Sequence, residues 1–108
     1  MGRRRYANET ITIALAGTQS TEVAVEAFAF GSLLFPAAMT GTKLLIEGKI
    51  GSSDWSSIVD SSGTPLEITK TVDSIARIPD AAFGCSALRF VSDAVEGAER
   101  TFALHLQS

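Results

Sequence analysis

The chain has 108 residues, 45% hydrophobic and 19% charged, enough for one folded domain with its own core and too apolar for a disordered one. Of its nine Lys and Arg, three are the cluster Arg3-Arg4-Arg5, and the six that remain stand against twelve acidic residues, a body that repels nucleic acid. Cys85 is the single cysteine, which excludes an internal disulfide and suits assembly in a reducing cytosol.

From the N-terminus, "MGRRRYANET" starts basic but lacks the apolar stretch of a signal peptide, and Tyr6 stands where a myristoylation signal wants Ser or Thr. In "TITIALA", Ile11, Ile13 and Leu15 alternate with Thr10, Thr12 and Ala14, the period of a half-buried strand. "GTQST" reads as a turn, and "EVAVEAFAF" resumes alternation with Val23 and Val25 inward. Gly31-Ser32 predicts a bulge or bend before "LLFP", which Pro36 ends. The weakly polar "AFAFGSLLFPAAM" is too short to span a bilayer.

"TKLLIEGKI" places Leu44, Ile46 and Ile50 on one face, with Gly48 interrupting that face where another backbone can come close. "WSSIV", "LEITK" and "SIARI" predict three short strands. "PDAAFG" predicts one helical turn, opened by Pro79 and stopped by Gly84. "ALRFVS" and "RTFALHL" close the chain, with Phe102, Leu104 and Leu106 inward and His105 outward. About eight short strands at regular spacing, with almost no helical periodicity, predict an all-β fold, an antiparallel β-sandwich or barrel. Its expected core holds Ile11, Ile13, Val23, Val25, Leu44, Ile46, Leu88, Phe90, Phe102 and Leu104. The expected organisation is a basic arm over residues 1–9 and a single sandwich domain over 10–108.

Little in the chain points to catalysis. His105 has no sequence neighbour that would make it a base or ligand, and Cys85 reads as a small hydrophobe. No "GxSxG", "HExxH" or paired CxxC occurs, and no glycine-rich phosphate loop opens a helix. Asp54, Asp60 and Asp73 fall in turns, where Asp bonds nearby backbone, and their spacing fits no calcium loop. No enzyme, no cofactor and no metal are therefore expected. Trp55 opens a short strand and is expected as a core plug; an exposed ring would instead suit sugar stacking. Arg3, Arg4, Arg5 and Tyr6 are residue types suited to an arm lying on an acidic partner surface. A solvated tail is the plainer alternative.

The order of segments resembles a group of small proteins encoded near the major capsid gene of tailed bacteriophages and prophages. "LLFPAAMTGTKLLIEGKIGSSDWSSIVDSSGTPLEIT", "IPDAAFGCSALRFVS" and "AERTFALHL" match that pattern, from Leu33 to Leu106. There are departures: the turn before Trp55 is shortened to Ser53-Asp54, Pro79 and Asp80 stand in reversed order, and only "DAVEGA" separates the last two strands. The resemblance implies a head decoration or cement protein with a jelly-roll-like sandwich. It also implies the major capsid protein as partner, a homo-oligomer with a trimer favoured, and a place on the capsid exterior after assembly in the host cytoplasm. Neither nucleic acid nor membrane is an expected partner. The competing class is a carbohydrate-binding sandwich of a phage tail or cell-surface protein, with Trp55 as its platform.

Overall fold

The computed structural model describes residues 5–108. Among them run nine strands: β1 (Tyr6–Ile13), β2 (Val23–Ala24), β3 (Phe30–Leu34), β4 (Lys43–Lys49), β5 (Ser56–Ser57), β6 (Glu67–Thr69), β7 (Ile75–Ile78), β8 (Ala87–Ser92) and β9 (Arg100–Gln107). The one helical turn expected after Ile78 is present as a 3-10 turn, Asp80–Ala82, directly after Pro79.

Two antiparallel sheets form. The first is four-stranded, in the order β1-β9-β3-β7; the second is five-stranded, β2-β8-β4-β5, with β6 also on β4. The pairings nest. β1 pairs with β9, β2 with β8, β3 with β7 and β4 with β6. A long hairpin folded over itself in this way, with its strands shared between two packed sheets, is a jelly roll. The expected antiparallel sandwich is therefore the fold.

The core lies between the sheets because the inward face of each long strand is apolar. In β4, Leu44, Ile46 and Gly48 are buried while the residues between them are half-buried. β9 alternates in the same way, with Phe102, Leu104 and Leu106 inward. Every residue expected in the core is buried, and Leu33, Phe35, Ile68 and Ile78 join them. Phe35 meets Phe102 edge-on, with ring centroids 5.7 Å apart, an arrangement that suits the ring quadrupoles.

Several expectations are corrected. β1 begins at Tyr6, so the boundary drawn after Glu9 falls inside a strand: Tyr6 to Glu9 pair with Gln107 to Leu104. This stretch reads as an arm because its side chains are polar, yet an edge strand needs only backbone pairing. Arg3 and Arg4 lie outside the described residues. Leu15 does not continue the inward face of Ile11 and Ile13 but is 65% exposed. The chain leaves the sheet after Ile13 and turns through Ala16, whose φ is 66°. Ile50 is likewise exposed, because β4 ends at Lys49 and Gly51 turns with φ 59°. Gly31 does not bulge. It pairs in register with Leu106 and Ile78, and an added Cβ would stand 2.8 Å from the His105 carbonyl oxygen. Gly48 makes room for the side chains of Ile58 and Cys85, not for another backbone.

Candidate functional site

The outer face of the first sheet collects the residues best placed for contact. At one corner of the sheet Arg5 and Ser108 are joined. The Arg5 N–H donates to Ser108 Oγ at 2.8 Å, and the Ser108 N–H donates to the Arg5 carbonyl at 2.9 Å. Tyr6 then starts β1 with its ring two-thirds exposed, stacked on the His105 imidazole with centroids 5.7 Å apart. His105 Nδ1 lies 2.7 Å from Asn8 Oδ1. An amide oxygen only accepts, so Nδ1 carries the proton in this contact. His105 is exposed as expected, but it is not isolated: pairing of β1 with β9 brings Asn8 and Tyr6 to it across almost the whole sequence.

Register extends this face across the sheet. Ser32 lies beside His105 and Arg77 beside Ser32. Arg77 covers the Phe30 ring at 5.2 Å and pairs with Asp80 at 3.1 Å. The next row is mostly apolar: Thr10, Ala103, Leu34 and Ile75 are consecutive neighbours. Ile75 is 73% exposed and Leu34 42%. A shallow groove of about 500 Å³ runs between the Asn8–His105 row and this apolar row. Large apolar side chains grouped on one face, rimmed by polar ones, are the pattern of a protein contact surface.

The outer face of the second sheet differs in kind. Lys43 pairs with Glu67 at 3.0 Å, Arg89 with Glu47 at 2.6 Å and Lys49 with Glu22 at 3.3 Å. Trp55 lies here, half-buried, with Arg89 4.7 Å and Lys49 5.0 Å from its ring centroid. It is not the core plug that the sequence suggests. β5 is only two residues long and pairs Ser56 with Gly48, so Trp55 is carried over β4 and held by cations instead of core side chains.

The end of the sandwich where β8 returns to β9 holds a group that the sequence did not single out. Glu96 is fully buried and every side-chain contact it makes is a donor's. Its Oε1 accepts from the Thr40 N–H at 2.8 Å and from Arg100 Nε at 2.9 Å; its Oε2 accepts from the Gly41 N–H at 2.9 Å and from Ser92 Oγ at 2.7 Å. Burial alone would raise its pKa, but these donors outweigh it and hold the carboxyl at about 2. The carboxylate ties the β3–β4 connection and β8 to β9, so it fastens one sheet to the other. Only Arg100, four residues on, was a sequence signal for it. Beside it, Asp93 accepts from the Thr42 hydroxyl and N–H, which lowers its pKa.

The other sequence candidates do not come together. Asp60 Oδ1 accepts from the Ser62 and Thr64 N–H groups, closing its own turn. Asp73 sits in a turn with φ 57°. Among the described residues no three His, Cys, Asp or Glu cluster as metal ligands would. Cys85 is half-buried beside a cleft of about 300 Å³ between the β4–β5 turn and the 3-10 turn, and burial pushes its thiol pKa up, away from nucleophile chemistry. No helix among the described residues is long and apolar enough to cross a membrane.

No protein-family model matches the chain, and no curated protein matches it in sequence. A solved structure does match its fold, the SPBc2 prophage-derived protein YomS. The TM-score is 0.67, the identity 11%, and the superposition covers 100% of this chain and 97% of that one. The shared property is the fold over the whole length of both chains.

Proposed function

We propose that this chain is a bacteriophage structural protein that decorates the outside of the head and stabilises the shell. The observation that carries this reading is the full-length fold match to a prophage-derived protein. The turn and core motifs from Leu33 to Leu106, which resemble small proteins encoded near major capsid genes, support it. In this reading the partner is the major capsid protein and the protein acts as a homo-oligomer. Its location is the virion exterior. It is no enzyme and uses no cofactor, metal, nucleic acid or membrane.

The mechanism follows from mass action. A protein that binds only the assembled shell lowers the free energy of that shell, and a copy that bridges neighbouring subunits gains from each of its contacts. The outer face of the first sheet offers exposed Tyr6, Leu34 and Ile75 as anchors. The basic residues Arg3, Arg4 and Arg5 fit an acidic shell surface at the rim, where they would speed association and make it sensitive to salt. The test is co-sedimentation with heads of the parent phage prepared without this protein. Saturable binding at a fixed ratio of copies to capsid subunits supports the reading. No binding under any salt condition sinks it.

A second reading, a carbohydrate-binding sandwich, draws on Trp55, which lies on an outer face and not in the core. Protection of its fluorescence from a soluble quencher by added glycan, without head binding, would favour that alternative.

A further inference from the structure

The edge of the first sheet is asymmetric in how it is finished. At the end near Ile13, β1 is closed off: the Thr21 N–H donates to the Thr12 carbonyl at 3.0 Å, and the Thr12 N–H donates to Thr21 Oγ1 at 3.1 Å. At the other end the Arg5 carbonyl accepts from Ser108, on the β9 side. Backbone groups alternate sides along a strand. Thr12 therefore fixes the direction: Tyr6, Asn8 and Thr10 also turn their N–H and C=O groups away from β9, while Arg5, Ala7 and Glu9 turn theirs toward it. Among the described residues none of these outward backbone groups has a partner.

Other edges are short. β2 and β5 have two residues each, and β7 has four and runs into Pro79. β1 has eight, with no Pro, Lys or bulge between Tyr6 and Thr10, although such devices are how proteins keep open edges from pairing. Its charges are also arranged in an unusual way. Arg5 and Glu9 stand two residues either side of Ala7, on the same face of the strand and both exposed.

We propose that two copies of this chain pair edge to edge through β1, antiparallel about a two-fold axis at Ala7. In that register Tyr6 of each copy exchanges backbone hydrogen bonds with the partner's Asn8. Ala7 meets the partner's Ala7, and Arg5 stands directly opposite the partner's Glu9, twice. Positions that bond to β9 are non-hydrogen-bonded toward the new neighbour, where facing side chains come closest, and opposite charges there are stabilising. Shifting the register so that Glu9 centres on the axis would set two carboxylates against each other, which is destabilising. The strand is thus self-complementary in one register, which is the signature of an isologous contact. The first sheets of the two copies become one continuous sheet, and the outer faces stay free for other contacts. This is a two-fold pair in place of the trimer implied by the family resemblance, and it stands whether or not the protein binds heads.

Sedimentation equilibrium of the purified full-length protein over a range of concentrations tests it, with three variants. The wild type is expected as a reversible dimer. Asn8→Pro removes an outward N–H without touching the β9 ladder, a change that edge strands accept, and is expected as a monomer. Glu9→Arg places like charges opposite and is expected to weaken the dimer by about tenfold or more. Combining Arg5→Glu with Glu9→Arg restores opposite charges in this register alone and is expected to recover the dimer. A wild type that is monomeric or trimeric at all concentrations overturns the proposal. So does a dimer that the charge reversal leaves unchanged, or one that the double exchange fails to rescue.

Discussion

The two outer faces of the sandwich are built from the same kind of strand and finished in opposite ways. On the second sheet, outward residues pair with one another: Lys43 with Glu67, Arg89 with Glu47, Lys49 with Glu22, and two of these cations also cover Trp55. On the first sheet, Tyr6 and Ile75 stand largely in solvent and Leu34 partly so, beside a groove. A face that satisfies its own charges has little to gain from a partner. One that leaves apolar surface in water gains whatever a partner can bury, at about 25 cal/mol per Å². Under the proposed function, contact falls to the first sheet and the second stays on the solvated side.

The comparison requires that the two sheets stay fixed to each other, and Glu96 is the clearest single fastener. Glu96→Ala is expected to cost about 3–5 kcal/mol in chemical denaturation, because it leaves Arg100 and three other buried or half-buried donors without their acceptor. A loss below about 1 kcal/mol would mean that the corner is held by packing instead.

The same residue sets an acid limit. Its folded pKa of about 2 lies below the ordinary 4.5, so between these values the unfolded chain binds more protons than the native one. The stabilisation is complete above about pH 4.5 and fades as pH falls toward 2, a loss of about 3 kcal/mol in all. Denaturation midpoints measured across this window should fall steeply for the wild type and more gently for Glu96→Gln. Equal slopes would remove Glu96 as the cause.

Next in size is the contact face itself. Replacing Leu34 and Ile75 together by Glu is expected to weaken binding to heads by about a hundredfold, near 2.7 kcal/mol. Stability should change less than binding, since Ile75 stands mostly in water and Leu34 is partly exposed. Unchanged binding would erase the distinction between the faces. On the second sheet, Trp55→Ala is expected to cost about 1 kcal/mol of stability, the scale of its cation contacts, where loss of a core aromatic costs about 3–5 kcal/mol. The smallest effect is that of Lys43→Gln, which removes one exposed ion pair and is expected to cost under about 0.5 kcal/mol.

Much of this architecture was legible because inward alternation is written in the sequence. Ile11 and Ile13, Leu44 and Ile46, Phe102 and Leu104 declare their faces by period alone. Parity says nothing about where a strand stops, however, so Leu15 and Ile50 continued a pattern that Ala16 and Gly51 end by turning the backbone. Tyr6 to Glu9 were hidden for a related reason. Edge pairing uses backbone groups, and polar side chains on an overhanging rung look like a tail. Trp55 was misplaced because a two-residue strand gives too little period to fix a face. Glu96 was invisible as one acid among twelve, since residues 40 and 41 reach it only once the sheets have closed. The proposed contact face was legible only at Tyr6, which stood out by residue type; Leu34, Ile75 and Asn8 join it only through strand register.

The central claim, a structural role on the head exterior, is tested most directly by an electron-microscopic reconstruction of parent-phage heads carrying this protein. Predicted is jelly-roll density at repeated positions outside the shell, each copy touching more than one capsid subunit through its first sheet. Density confined to the tail, or heads that carry no copies, would contradict the account.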